Sequence, residues 1–279
     1  MSAGDRGALS FRVLPFDSLD STNDEARRQL RAGAGAGTVI WARRQQAGRG
    51  RRGRAWVSDE GNLFCSLIVR PDCPPAEAVQ LSLVAALAVA ETVEAVLGGA
   101  APVQVKWPND VLAGGRKLAG ILLESEMVVS EAAAAADEAG FERRLGAATV
   151  AALVIGVGIN IAHAPEGTEF PATSLVREGA AAPSAAALLD RLLGRFAVWY
   201  RRWSQDGLAP VRAAWLERAA GLDGPVTVRL HAETLCGSFI GLDGDGALLL
   251  DQGGGEPVRR IAAGDVFFPV AAVPAALPC

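Results

Sequence analysis

The chain has 279 residues, of which 50% are hydrophobic and 21% are charged, and its formal net charge is −4 at pH 7. This length and composition exclude a disordered protein and fit one large domain with a small one appended. The mild acidity argues against a dedicated nucleic-acid-binding protein, which usually carries a basic balance over its whole domain.

Membrane, secretion and metal signals are weak in this sequence. The chain does not open on a positively charged leader followed by an apolar core. Its longest apolar stretch, 81–97, is interrupted by Glu91 and Glu94 too early for the roughly 20 residues that span a bilayer. We therefore expect a cytoplasmic protein without a membrane partner. No metal site is predicted, because the four cysteines form no C-x-x-C pair and two histidines accompany them; the cysteines are Cys65, Cys73, Cys236 and Cys279.

Strand-like and helix-like segments alternate through most of the chain. Residues 11–19 predict a strand, and 21–30 predict a helix capped by Ser21 or Thr22 with an acidic first turn. A long helix is predicted over 76–97 from the spacing of its apolar residues. Runs rich in β-branched and aromatic residues predict further strands at 38–44, 62–70, 103–107, 117–124 and 150–161. This alternation predicts an α/β core with a mixed sheet.

The residue composition changes in the second half of the chain. Residues 126–148, rich in alanine and charge, are expected to form a surface excursion between two strands. Amphipathic helices over 184–205 and 209–220 follow, and their aromatic side chains are expected to provide packing. From Gly221 onward, short strands with glycine-rich turns predict a small β-barrel. The predicted domains are 1–220 and 221–279.

The segment QQAGRGRRGRAW, residues 45–56, places arginines between glycines. Such a segment can bind RNA, form a solvated linker, or close around a small anion. The last is possible because its backbone amides and guanidinium groups both bind phosphate or carboxylate oxygens. Taken alone, the segment leaves these three interpretations open.

A second cluster is predicted within residues 105–124. One strand ends at a Trp-Pro turn, a glycine hairpin leads into the next strand, and we expect the two strands to lie side by side. Lys106, Asp110 and Lys117 would then converge on one mouth of the sheet. The pattern indicates an anion site, although a structural pairing with Asp110 explains Lys106 equally well.

The order of these motifs resembles that of biotin protein ligases, which attach biotin to carboxylase carrier domains. The motifs are STN (21–23), QQAGRGRRGR (45–54), KWPND (106–110), RKLAGIL (116–122), GVGIN (156–160) and ATSL (172–175). The resemblance implies an α/β catalytic domain related to class II aminoacyl-tRNA synthetases, with helices on a mixed sheet. It also implies a small SH3-like β-barrel at the C-terminal end.

The resemblance implies a two-step ligase reaction. The biotin carboxylate attacks the α-phosphorus of ATP to give biotinyl-5′-AMP, and a lysine of a biotin carboxyl carrier domain then attacks the anhydride. Mg²⁺ is expected on the phosphates, held mainly by nucleotide oxygens and water. About ten residues precede the first strand, too few for the helix-turn-helix domain of some family members, so a monofunctional ligase is expected. We expect a monomer or a weak homodimer that binds no nucleic acid.

The resemblance also implies individual roles at the biotin end. Gly48 and Gly50 lie in the biotin loop, where Arg49 and Arg51 would meet the biotin carboxylate and the adenylate phosphate. Trp56 is expected to pack against the closed loop. The residues that resemble contacts to the biotin ring head are Ser21, Thr22, Asn23 and Gln45.

At the nucleotide end, Lys117 resembles the lysine that offsets charge growing on the α-phosphate oxygens. Asp110 matches the residue that orients or deprotonates the acceptor lysine, and Asn160 matches an adenine-side contact. Lys106 and Gly120 lie in the same motifs and are expected to line the cofactor site.

Two rival functions are weighed against this one. A lipoate protein ligase shares the fold and the adenylate chemistry, but GRGRRGR together with KWPND argues against it. A non-enzymatic nucleic-acid-binding module is disfavoured by the acidic net charge and by the lack of aromatic residues among the arginines.

Overall fold

The computed structural model describes residues 9–128 and 149–268. Its larger sheet has seven strands: β1 (Arg12–Leu19), β2 (Thr38–Gln45), β3 (Leu63–Val69), β4 (Val103–Lys106), β5 (Asp110–Ala113), β6 (Arg116–Val128) and β7 (Thr149–Ile159). The spatial order is β1-β2-β3-β7-β6-β5-β4. β1 pairs with β2 in parallel and the other pairs are antiparallel, so the predicted mixed sheet is confirmed.

The helices largely follow the predicted pattern. Their bounds are α1 (Thr22–Arg31), α2 (Pro75–Ala78), α3 (Leu81–Leu97), α4 (Ala185–Asp206) and α5 (Leu208–Leu216). The helix predicted over 76–97 is formed by two successive segments, α2 and α3. The helix predicted over 209–220 ends at Leu216, because the chain then runs beside β4, where Val105 exchanges backbone hydrogen bonds with Arg218 and Ala220 at 2.9 Å each.

Each face of the sheet carries its own core, because alternate residues of a strand point in opposite directions. Ile40, Ile68 and Val154 lie on neighbouring strands and are fully buried beneath α1. Residues that alternate with these along the strands, such as Val39 and Leu67, point to the opposite face and belong to the larger core, which includes α3 and α4. The aromatic residues expected to provide packing in the last two helices are buried: Trp199, Tyr200, Trp203 and Trp215.

One predicted neighbour relationship is wrong. The strand before the Trp-Pro turn and the strand from Arg116 do not lie side by side, because β5 is inserted between them. After the Trp-Pro turn the chain forms β5, which pairs with β4, and the glycine hairpin then leads into β6, which pairs with β5. All four residues of β5 are buried. Asp110 consequently lies opposite Lys106 on one side and Gly120 on the other.

The C-terminal part forms a separate antiparallel sheet. Its strands are β8 (Pro225–Arg229), β9 (Thr234–Leu242), β10 (Leu248–Asp251), β11 (Arg259–Ile261) and β12 (Asp265–Phe267), in the order β11-β10-β9-β8-β12. Phe239 is buried and meets Trp215 of α5 edge to face, with ring centroids 6.4 Å apart. The domain boundary at residues 220 and 221 stays a prediction.

Residues 129–148 of the predicted surface excursion lie outside the described residues, and β6 continues through Val128. The segment Pro75–Leu97 is long and apolar enough to cross a membrane, but 67% of its most apolar window is buried inside the structure. Such burial is typical of a core helix.

Candidate active site

A cleft of about 420 Å³ opens over β6 and β7, between the arginine–glycine segment 45–56 and β12. Its lining brings together all but one of the predicted site residues: Ser21, Thr22, Asn23, Gln45, Arg49, Gly50, Arg51, Trp56, Lys106, Asp110, Lys117, Gly120 and Asn160. Gly48 lies behind the lining. Its carbonyl accepts a hydrogen bond from the Trp56 N–H at 2.9 Å, and a Cβ there would lie 2.4 Å from Ser58 Oγ.

One end of the cleft is a buried polar network at the start of α1, where the first helical amides have no partner within the helix. The Thr22 N–H donates to Gln45 Oε1 at 2.8 Å, and Gln45 Nε2 donates to Ser58 Oγ at 2.9 Å. Ser66 Oγ lies 2.6 Å from Asn23 Oδ1 and 2.8 Å from the Thr22 hydroxyl. These bonds fix which amide and hydroxyl groups face the cleft.

Asn23 is held from three sides. Besides its contact with Ser66, its Nδ2 donates to Glu124 Oε2 at 2.7 Å. A Cβ at Gly156 of β7 would lie 2.3 Å from Asn23 Oδ1, so this strand position must be glycine for the amide to lie against the sheet. Ser21, at the N-cap position, is 3% exposed and makes no capping bond to the helix.

The floor of the cleft is a pair of facing glycines under an indole ring. Gly120 of β6 and Gly158 of β7 are register partners. A Cβ would come within 2.8 Å of the Trp56 ring at Gly120 and within 2.6 Å at Gly158. Both positions therefore need glycine for Trp56 to lie on the sheet.

At the mouth of the cleft, the ammonium groups of Lys106 and Lys117 both lie beside the carboxylate of Asp110. Lys117 Nζ lies 2.6 Å from Asp110 Oδ1, and Lys106 Nζ lies 3.4 Å from Oδ2. Lys106 also lies 4.4 Å from the centroid of the Phe170 ring. Burial lowers the pKa of Lys106, and the charge of Asp110 opposes that shift. Lys106 thus pairs with Asp110 and also lines the cleft, while the 26% exposed side chain of Lys117 gives the mouth its accessible positive charge.

The arginine–glycine segment is held by carboxylates and by polar groups from three other elements. Arg49 forms a two-bond pair with Asp24 of α1, one bond of which is 2.7 Å long. That pair lowers the pKa of Asp24, although burial acts in the opposite direction. Arg51 donates to Asn109 Oδ1 at 3.3 Å and to the Gly264 carbonyl at 3.2 Å. Arg49 is thus directed toward α1 and Arg51 toward the small sheet.

Several lining residues were missed from the sequence, and Asn160, which is expected to contact adenine, lines the cleft. The Asn160 side chain is buried, and its Nδ2 donates to the Thr173 carbonyl at 3.0 Å. Phe170, Asp265 and Phe267 also line the cleft, although none of the sequence motifs includes them. Ser66 lies outside this lining but belongs to the polar network, and it could have been found, since a lone polar residue interrupts the apolar run of β3.

Ser66→Ala is expected to weaken binding at the polar end by about tenfold, because Ser66 Oγ is fully buried between Thr22 and Asn23 and a hydrogen bond of this kind contributes roughly 1 to 1.5 kcal/mol. Titration calorimetry with biotin, a ligand that the sequence resemblance implies, measures the dissociation constant. The KM for ATP, the other ligand that the resemblance implies, should stay within twofold of the parent value. An unchanged biotin affinity would show that the hydroxyl does not orient these groups.

Two family descriptions match the chain. Residues 15–135 match the biotin/lipoate A/B protein ligase family, and residues 221–268 match the biotin protein ligase C-terminal domain.

Relatives and solved structures agree with this match. The chain is 39% identical to a biotin--[acetyl-CoA-carboxylase] ligase of Paracoccus denitrificans over 254 residues, covering 89% of this chain and 97% of that protein. It is 34% identical to the bifunctional ligase/repressor BirA of Bacillus subtilis, covering 92% of this chain and 74% of BirA. It also superposes on a biotin protein ligase from Aquifex aeolicus in complex with biotin and ATP, with a TM-score of 0.73, 25% identity and coverage of 92% and 97% of the two chains.

The fold is therefore the expected one, a class II aminoacyl-tRNA synthetase-like domain followed by a small SH3-like domain. Sequence similarity covers almost the full length of the Paracoccus ligase. The chain belongs to the biotin protein ligase family.

Proposed function

We propose that this protein activates biotin with ATP as biotinyl-5′-AMP and transfers it to a lysine of a biotin carboxyl carrier domain. The observation that carries the proposal is a single cleft with a buried amide and hydroxyl network at one end and an excess of cations at the other. The network suits a neutral polar ring, and the cations suit a carboxylate beside a phosphate.

In the first step, a biotin carboxylate oxygen forms a bond to the α-phosphorus and the bond to pyrophosphate breaks. Negative charge grows on the phosphoryl oxygens during this step, and a fixed ammonium group nearby stabilises it. Lys117 is suited to that task because a neighbouring segment, residues 171–173, fixes its backbone through two hydrogen bonds. Its N–H donates to the Pro171 carbonyl at 2.8 Å, and its carbonyl accepts from the Thr173 N–H at 2.9 Å.

In the second step, the acceptor amine attacks the biotinyl carbonyl carbon, AMP leaves, and the attacking nitrogen loses a proton. Asp110 already contacts two ammonium groups, and its side chain is 10% exposed. These contacts fix the carboxylate beside the cleft, where it can accept a hydrogen bond from the incoming amine. We assign Asp110 the orienting role.

Mg²⁺ would bind at the nucleotide phosphates, where it supplies charge neutralisation. Within residues 9–128 and 149–268, no group of three or more His, Cys, Asp or Glu side chains could hold a metal ion. The three carboxylates that line the cleft, Asp110, Glu169 and Asp265, are paired with Lys or Arg. Nucleotide oxygens and water would therefore supply most of the ligands.

The test is incubation of the protein with ATP, Mg²⁺, a carrier domain, and either labelled biotin or labelled lipoate. Mass spectrometry should place biotin on one lysine of the carrier domain, with no transfer when ATP is omitted. Transfer of lipoate in place of biotin would establish the rival ligase. Retention of labelled RNA without any transfer would establish the nucleic-acid-binding alternative.

The same proposal has the enzyme act in the cytoplasm as a monomer or a weak homodimer, with no nucleic-acid partner. The acidic net charge of −4 supports the last point. Light scattering over a range of protein concentrations would measure the oligomeric state.

A further inference from the structure

Asp265 joins the small sheet to the arginine–glycine segment. It is the first residue of β12, and its side chain is 11% exposed. Asp265 Oδ2 accepts from Arg54 at 2.6 Å and from Arg52 at 3.1 Å, and its Oδ1 lies 3.7 Å from Arg51 Nη1. Three arginines of the segment, Arg51, Arg52 and Arg54, thus contact one carboxylate that is more than 200 residues away in sequence.

The charges around Asp265 do not balance. Arg229 of β8 lies 4.0 Å from Asp265 but is engaged by Glu169 through two 2.7 Å bonds. The three segment arginines therefore share one negative charge. Burial favours the neutral acid, but the hydrogen bond from Arg54 and the nearby guanidinium charges outweigh it and hold the pKa of Asp265 below its usual value. The carboxyl group is accordingly ionised at neutral pH.

These donors also face the ligand space. Arg51, Arg54 and Asp265 line the same cleft as Lys117. Guanidinium groups bind phosphate oxygens in the same geometry as carboxylate oxygens, so a nucleotide in the cleft could engage the arginines that Asp265 holds.

We propose that Asp265 is a positioning residue that holds the arginine–glycine segment over the cleft, and that nucleotide phosphates replace it as counter-ion when they bind. The proposal rests on the proposed function for its second half, whereas the first half stands on the contacts alone. It assigns the small domain a specific task, which is to order the segment before the nucleotide arrives.

This arrangement has a kinetic consequence. When the binding-competent conformation is a fraction of the population, the apparent dissociation constant rises by the inverse of that fraction. Removal of the Asp265 charge leaves three guanidinium groups without their shared counter-ion, so the segment should open and the KM for ATP should rise. Saturating ATP supplies the counter-charge, so kcat should be preserved.

The experiment compares Asp265→Asn, Asp265→Glu and a matched control, Asp245→Asn, with the parent chain. Asp245 also belongs to the small domain, but it pairs with Arg260 at 3.1 Å and is 66% exposed. Without ligands, trypsin should cleave after the segment arginines at least about fivefold faster in Asp265→Asn than in the parent or the control. Biotin, ATP and Mg²⁺ together should restore the protection of Asp265→Asn from trypsin. Without ligands, Asp265→Glu should retain much of the protection of the parent, because it keeps the negative charge.

Steady-state kinetics supplies the second readout. The KM for ATP should rise about fivefold or more in Asp265→Asn, while kcat stays within twofold. The variant Arg52→Gln removes one of the same contacts from the other side, at a residue outside the cleft lining, and should also raise the KM for ATP, whether or not Asp265→Asn folds.

Equal cleavage of Asp265→Asn and the parent without ligands, or a loss confined to kcat, would overturn the positioning role. An inactive parent chain would instead refute the proposed function. The comparison of cleavage rates without ligands would still test the contacts of Asp265 in that case.

Discussion

Replacement of Lys117 by alanine is expected to lower the rate of adenylate formation by about 10²- to 10³-fold, the loss typical when one fixed donor to a developing charge is removed. The Lys117 ammonium group is the more exposed of the two at the cleft mouth, with its side chain 26% exposed against 7% for Lys106, and it lies 2.6 Å from Asp110. The backbone bonds of Lys117 to Pro171 and Thr173 do not involve its side chain, so the strand should keep its place. Biotin-dependent exchange of pyrophosphate into ATP measures this step directly.

A neighbouring cation provides the control for this prediction. Arg116 precedes Lys117 on β6, but its guanidinium pairs with Glu178, whose side chain is 6% exposed, at 2.7 Å. Arg116→Lys should therefore leave exchange within about twofold of the parent, because it keeps a cation beside Glu178 and Arg116 does not line the cleft. Biotin affinity of Lys117→Ala should change little, since the polar network lies on α1, β2 and β3. Near-normal exchange in Lys117→Ala would remove Lys117 from the chemistry.

Local sequence patterns predicted most of the fold. The strands and helices were visible because apolar and β-branched residues repeat with the period of each element, and turns carry glycine or proline. The β5 insertion was missed because the four residues of DVLA are too short to stand out beside a Trp-Pro turn. Its effect on the site is nevertheless direct, since it places Asp110 between Lys106 and the strand of Lys117.

The candidate site was predictable where a motif holds its residues together and not where distant segments meet. The polar residues at 21–23 and those of the KWPND motif are close together in the sequence, so each group could be recognised as a unit. Residues of both groups line the cleft. Asp265 lies in AAGDVFF, which has no local feature of a binding site. Its contacts with the arginines depend on how the small sheet packs against the larger domain, and that packing is not encoded in any short window.

Gly158→Val is expected to abolish ligand binding by blocking the floor of the cleft. A Cβ at this position would lie 2.6 Å from the Trp56 ring, so the indole must leave the sheet or the strand must move. Valine itself suits a β-strand, and overpacking typically costs about 1 to 3 kcal/mol, so the protein should fold. We expect biotin affinity to fall by more than about 100-fold, equivalent to roughly 2.8 kcal/mol.

A double variant separates this clash from a general loss of structure. Trp56→Ala removes the ring with which the new side chain collides, so Gly158→Ala should cost much less biotin affinity in the Trp56→Ala background than in the parent. Such non-additivity is expected for residues in direct contact. Gly194→Ala is the control for glycine replacement, because a Cβ there meets nothing within 4 Å. Calorimetric titration with biotin measures the parent and each of these variants, and additive losses at positions 56 and 158 would mean that Trp56 does not lie over Gly158 when biotin binds.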